Sequence, residues 1–290
     1  MLSSAREIRS KFLPHDSSPS DPSKQSCWSS PIHAQTLNQL LSTSDQHSIA
    51  RLQGCSAPGA GDWLNAIPSA PLGLRLADKQ FSVAVGFRLG APVCVAHKCV
   101  CGAEMDPTAQ HALICKKTRS RFSRHGQGND IIHRALSSAD VPSILEPPGL
   151  CRSDGKRPDG LTLFPWSRGK SLVWDFTCVQ RLAVSYTRIA SAPGSSVAAI
   201  AEEKKVDKYK DLSRDFVTQP VAVETLGGLG PTTLSFLTDL GHRISIISGN
   251  KRSTEFLRQR LGIAVQSGNA ACLFESLCSK VPVPLREELY

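Results

Sequence analysis

The most constraining stretch in the chain is Cys99-Val-Cys101-Gly-Ala-Glu-Met-Asp-Pro-Thr-Ala-Gln-His111-Ala-Leu-Ile-Cys115. Two thiols sit at one end, and a His and a Cys four residues apart sit at the other. His at i and Cys at i+4 share a helical face, and a Cys-x-Cys pair can close on them from a turn. Three sulfurs and one nitrogen form a closed tetrahedral Zn²⁺ site of the structural kind. Cys94 and His97 lie nearby and could substitute. The Cys-x-Cys spacing is tighter than the common range, and the competing reading is a set of scattered reduced cysteines in a small core. So short a segment does not fold on apolar burial alone, so the metal supplies its folding energy. Ten cysteines in 290 residues are too sparse for a disulfide scaffold. With a metal cluster among them, they place the chain in a reducing compartment, nuclear or cytoplasmic.

Charge narrows the partner class. Lys plus Arg number 34 against 25 Asp plus Glu, a net +9, which excludes an acidic solvating protein and favours a polyanion. The run KKTRSRFSRH, residues 116–125, follows the Cys/His segment. It offers Lys116, Lys117, Arg119, Arg121, Arg124 and His125 to phosphates. The competing readings are a solvated helix face and a nuclear address. No run reaches 18 apolar residues, so a membrane span is not expected, and the N-terminus lacks the apolar core of a secretory signal.

Along the chain, residues 1–55 read as a mostly flexible lead, with a weak amphipathic pattern over 36–55. Residues 56–93 read as a short helical segment: Phe81, Val85 and Leu89 are four apart, and Gly90 and Pro92 close the helix. The zinc knuckle and basic stretch span 94–125, the main domain 126–275 and a tail 276–290. In the main domain a helix is expected over Asn129–Ser138 and a strand at Ser143–Glu146. Two strands, Arg157–Leu163 and Ser171–Thr177, follow, joined by a turn FPWSRG. The second, SLVWDFT, is nearly continuously apolar, as suits a strand buried on both faces. A long helix over 195–216, a strand at Pro220–Glu224, a glycine-rich break LGGLG and further helices complete the order. The fold class is α/β (α+β), a small mixed sheet flanked by helices.

A second constellation is Arg157-Pro158-Asp159, followed after fifteen residues by Asp175 at the end of the apolar strand. Two strands and a turn of that length bring both carboxylates to one end of a sheet. Converging carboxylates bind Mg²⁺, a hard cation that prefers oxygen, beside which a phosphodiester can be hydrolysed. Lys204, Lys205 and Lys208 follow on the long helix, where a lysine can offset charge on the phosphoryl group. On spacing alone, a turn aspartate, a salt-bridged aspartate and a solvated lysine face account for the same residues.

These motifs, in this order, resemble the C-terminal region of polyproteins from non-LTR retrotransposons of the restriction-like-endonuclease class. In those proteins a Cys-Cys-His-Cys knuckle precedes a nuclease of the PD-(D/E)XK fold. The resemblance runs over roughly residues 50–275, through WLNAIP at 63–68, RLG at 88–90, CVCG to HALIC, Arg124-His125, RPD at 157–159, WDF at 174–176 and KVDKY at 205–209. It implies a restriction-endonuclease-like mixed sheet and Mg²⁺ held by Asp159, Asp175 and the carbonyl of Phe176. It implies Lys205 as catalytic lysine with Lys208 second, and Tyr209 nearby. Asp130 is implied as an outer carboxylate, and Arg157 and His125 as supports or phosphate contacts. The partner it implies is DNA, with RNA a further candidate. Thr177 stands where the fold's usual motif has Lys, so the lysine must come from the helix. No Phe/Tyr-Ala-Asp-Asp polymerase motif occurs, so the expectation is a fragment of a longer element or a host gene derived from one. Three functions follow as alternatives: a metal-dependent endonuclease domain, a catalytically decayed nucleic-acid-binding module, and a zinc-folded interaction protein.

Overall fold

Alternation along one central strand sets the layering of this protein. The computed structural model describes residues 2–12, 19, 21–150, 157–192 and 194–277; the expected tail lies outside them beyond residue 277, as do parts of the expected lead. The chain begins with α1 (Leu2–Phe12), α2 (Gln25–Thr43) and α3 (Gln46–Ser56). A 3₁₀ turn at Asp62–Asn65 and α4 (Asp78–Leu89) lead to a small hairpin, β1 (His97–Lys98) and β2 (Glu104–Met105), and a 3₁₀ turn at Gln110–Leu113. Then come α5 (Ser120–Ser138), β3 (Ser143–Leu145), β4 (Gly160–Ser167), β5 (Lys170–Val179), α6 (Val184–Ala190) and α7 (Val197–Lys208). A 3₁₀ turn at Lys210–Arg214, β6 (Val217–Glu224), α8 (Pro231–Ser248) and α9 (Ser253–Ser276) complete the order. The class is mixed α/β, as the sequence order indicates.

The main sheet runs β3-β4-β5-β6, antiparallel at the first two junctions and parallel at the third. Parallel neighbours need a crossover, and α6 and α7 supply it. The β4–β5 turn is shorter than FPWSRG: Ser167 pairs with Lys170, leaving only Arg168 (φ 50) and Gly169 (φ 75) between them. Two positive-φ residues make the primed turn that matches strand twist, so Phe164–Ser167 belong to the strand.

On β5, Leu172, Trp174 and Phe176 face one way, and Val173, Asp175 and Thr177 the other. The first set joins Val221 and Val223 in the main core, against Ile132 and Leu136 of α5, Phe236, Leu237 and Leu240 of α8, and Leu257 and Leu261 of α9. On the opposite face α7 packs through Ala198 and Ala201 onto Ala222. These small side chains bring α7 close to the sheet. Lys205 and Lys208, four and seven residues beyond Ala201, lie on the same helical side.

A second core holds the knuckle. Val83 and Phe87 of α4, Met105 and Leu113 pack with Ala270, Cys272 and Leu273 of α9, so α9 runs through both cores. The lead expected to be mostly flexible over residues 1–55 carries the three helices α1 to α3: Asp45 caps α3 by accepting from the Ser48 N–H at 2.9 Å, while α2 buries no residue. Among the described residues no helix is long and apolar enough to cross a membrane.

Candidate metal centres

The knuckle is built on the β1–β2 turn. Cys99 follows β1, and its N–H donates to the Ala103 carbonyl at 2.9 Å. The Gly102 N–H donates back to the Cys99 carbonyl at 2.7 Å, with Gly102 at φ 89, a conformation that glycine adopts without a Cβ clash. The turn therefore aims Cys99 and Cys101 at one point. His111 comes from the 3₁₀ turn Gln110–Leu113, and Cys115 follows it. This corrects the expected α-helical face: a tight turn, entered through Ala109 at φ 53, brings His111 and Cys115 together.

The four ligand atoms lie within 4.8 Å of one another. Cys99 Sγ is 3.6 Å from Cys115 Sγ, and Cys101 Sγ is 3.2 Å from His111 Nε2. A tetrahedron with 2.3 Å Zn–S arms has edges of about 3.8 Å, so the cluster can hold a metal such as zinc. Hydrogen bonding from the Ala103 amide, and then from His111, pulls the Cys101 thiol down to about 7, while burial pushes Cys99 up to about 11. The nearby candidates are used elsewhere. Cys94 Sγ lies against the carbonyls of Asp106 (3.7 Å) and Pro107 (3.8 Å). His97 bonds the Val95 carbonyl and Ser276.

The second centre lies where β4 begins beside the middle of β5, so Asp175 is not at a strand end as expected; there Asp159, Asp175 and His125 place a ligand atom each within 4.8 Å of the others. Asp159 is fixed by its backbone N–H, which donates to the Trp174 carbonyl at 2.9 Å, and its carboxylate accepts the Phe176 N–H at 2.6 Å. His125 Nε2 is 3.2 Å from the same carboxylate. Asn129, one turn further along α5, orients that ring. Its amide oxygen accepts the Trp174 indole N–H at 3.0 Å, so its amide nitrogen faces His125 Nδ1 at 3.2 Å. An indole N–H can only donate, and this fixes which way the amide points. With Nδ1 accepting, the Nε2–H points at Asp159. Gly128 makes the approach possible, because a Cβ there would meet the Phe176 ring. The His125 ring stands edge-on to that same ring at 5.7 Å.

Asp175 is 4% exposed and takes a hydrogen bond from Lys205 on one oxygen and from Lys208, at 2.8 Å, on the other. Burial alone would raise its carboxyl. The charge of Lys205, with hydrogen bonds from Lys205, Lys208 and Tyr209, outweighs burial and holds it below the ordinary 3.8. The Lys208 ammonium lies over the Tyr209 ring at 4.3 Å, and the Tyr209 hydroxyl donates to the Arg157 carbonyl at 2.7 Å. Lys204 points elsewhere, to the Tyr186 hydroxyl at 3.1 Å.

Several sequence candidates are placed differently. Arg124 is 4% exposed and donates to Asn269 Oδ1 at 2.6 Å and to the Leu113 carbonyl at 3.2 Å. It is a buried strut between knuckle and α9, out of reach of phosphates. Arg121 braces the knuckle through the carbonyls of Ile114 and Cys115. Arg157 pairs with Glu146, and Asp130 with Arg134. Phe176, whose carbonyl the resemblance implies as a ligand, donates its N–H to Asp159 at 2.6 Å, and its ring is wholly buried. Lys116, Lys117 and Arg119 are exposed. Asn129 carries no motif of its own, and its spacing of four from His125 on a helix is the only sequence signal that finds it. No protein-family model matches the chain, and no curated protein is significantly similar to it.

Proposed function

We propose that this chain is a metal-dependent DNA endonuclease domain of restriction-like fold, joined to a structural zinc knuckle, as its resemblance to the C-terminal region of non-LTR retrotransposon polyproteins implies. One observation carries the reading. Asp159 and Asp175, with fifteen residues between them in sequence, converge with His125 where β4 begins beside β5, and two lysines from α7 reach Asp175. The donor set fits Mg²⁺: two carboxylates are hard oxygen ligands. Lysine ammoniums now occupy the positions around Asp175 that a cation would share.

Bound between Asp159 and Asp175, Mg²⁺ would supply charge stabilisation for the phosphoryl oxygens as the P–O bond breaks. Hydrolysis adds water across that bond, and the leaving oxygen takes up a proton. Once released from Asp175, Lys205 and Lys208 present ammoniums to the phosphate from the α7 side of the sheet. Asn129 and Phe176 hold His125 and Asp159 in position, so neither group must reorganise. The exposed cations Lys116, Lys117 and Arg119 give a path for the strand from the knuckle, and DNA is the partner they fit.

Nicking of supercoiled plasmid tests the reading. The expected result is nicking that requires Mg²⁺, stops with EDTA, and is lost in Asp159→Ala at unchanged zinc content. DNA binding by the wild-type protein without any nicking would instead support the decayed binding module.

A further inference from the structure

The N-terminal turn of α5 carries a side chain that neither metal centre uses. Phe122 is 75% exposed, the most exposed aromatic ring on the described surface. On its helix it lies three residues before His125, on the same side and about 4.5 Å along the axis. Its neighbours are exposed and small or polar: Ser123, Gly126 and Gln127. A Cβ added at Gly126 would meet nothing within 4 Å, so the surface beside the ring is open. The chain segment that carries it is cationic. From Lys116 to Asn129 the chain holds no Asp or Glu, and Lys116, Lys117 and Arg119 are exposed just before the ring. The nearby carboxylate of Glu275 is committed to the Arg119 and Ser120 backbone N–H groups, both at 2.7 Å.

We infer that Phe122 is a stacking platform for an unpaired base next to the cleavage point, and that the substrate class is DNA with a single-stranded segment at a duplex junction rather than uninterrupted duplex. This rests on the proposed nuclease reading for its placement beside the scissile bond. An open aromatic ring just after the exposed cations Lys116, Lys117 and Arg119 fits an unstacked base, because every base has a face that can stack while those cations hold its phosphates. In an intact duplex both faces of each base are already covered, so the ring has nothing to bind. Phe122 stands about one helical turn from the His125–Asp159 pair, so a base stacked there belongs to a nucleotide close to the acidic centre.

The test is binding without Mg²⁺, in EDTA-free buffer that keeps the zinc, so it is independent of whether the acidic centre cleaves. The probes are a plain duplex and the same duplex carrying a short single-stranded extension with 2-aminopurine as its first unpaired base. Wild type is expected to prefer the extended probe and to change the 2-aminopurine fluorescence. Phe122→Ala is expected to bind that probe about tenfold more weakly, with duplex binding and folding unchanged, and Phe122→Trp to restore it. Equal affinity of wild type for both probes would overturn the inference, even if Mg²⁺-dependent nicking were observed. So would a Phe122→Ala protein that keeps the preference or loses affinity for both probes alike. Failure to nick with the preference intact would instead count against the nuclease reading alone.

Discussion

At the scale of single residues, the acidic centre is a set of mutual obligations. The Asp159 carboxylate raises the proton affinity of His125 above its ordinary 6.5, against a smaller opposing effect of burial. The Asn129 amide opposes protonation at Nδ1. A His pKa raised in the folded state adds stability that is fully present below the ordinary value and is lost as pH rises through the folded one. Asp159→Asn should therefore lower the His125 pKa, as read from imidazole NMR shifts, and weaken the fall in stability with pH in the window above 6.5. Asp175 has the opposite sign. Its carboxyl is held below 3.8, so its contribution is present above that value and is lost as pH falls through the depressed one. Arg124 separates structure from binding. Arg124→Met leaves Asn269 and the Leu113 carbonyl without their donor and should cost about 2–4 kcal/mol in denaturant melts. It should leave the salt dependence of DNA binding unchanged, whereas Lys117→Ala should reduce the log–log salt slope by about 1.

At the scale of elements, β5 was legible because its apolar run is continuous, and Asp175 because it interrupts that run. The β4–β5 turn was not legible. Phe-Pro-Trp-Ser has turn-like composition, yet the hairpin closes on Arg168 and Gly169, where two positive-φ residues suit the twist. The helices of the lead left only the weak amphipathic pattern over 36–55, because α2 buries nothing and no strong apolar stripe marks it. The four knuckle ligands could be read from spacing, while the 3₁₀ turn that carries His111 could not, since its form depends on packing against α9. Zinc removal should act on this element. Structural zinc binding is worth about 10–16 kcal/mol in small peptides, so chelation or Cys115→Ser should lower the thermal midpoint sharply and raise amide exchange over residues 94–115 first. Gly128→Val should push α5 off Phe176 and separate His125 from Asp159. The expected loss is about 1–3 kcal/mol of stability, together with the downward shift of the His125 pKa seen when its carboxylate partner is removed.

For the whole molecule, one helix ties the two centres together. α9 contributes Leu257 and Leu261 to the sheet core and Ala270 and Leu273 to the knuckle core. A buried chain of side chains reinforces it: Arg124 bonds Asn269, Asn269 donates to the Thr225 carbonyl at 2.7 Å, Thr225 bonds Gln180, and Gln180 donates to Gln110 of the knuckle at 2.6 Å. The exposed lysines beside the knuckle and the acidic centre are thus held on one rigid frame. With Lys116, Lys117 and Arg119 on phosphates, the slope of log affinity against log salt should be at least about −2.7. The measurement that bears most directly on the proposed chemistry is the Mg²⁺-dependent nicking rate of wild type beside Asp175→Asn, at matched zinc content and matched circular dichroism. Robust nicking by wild type and a loss of at least about a hundredfold in the variant is the predicted result. Equal rates in the two proteins, or nicking that persists without Mg²⁺, would contradict it.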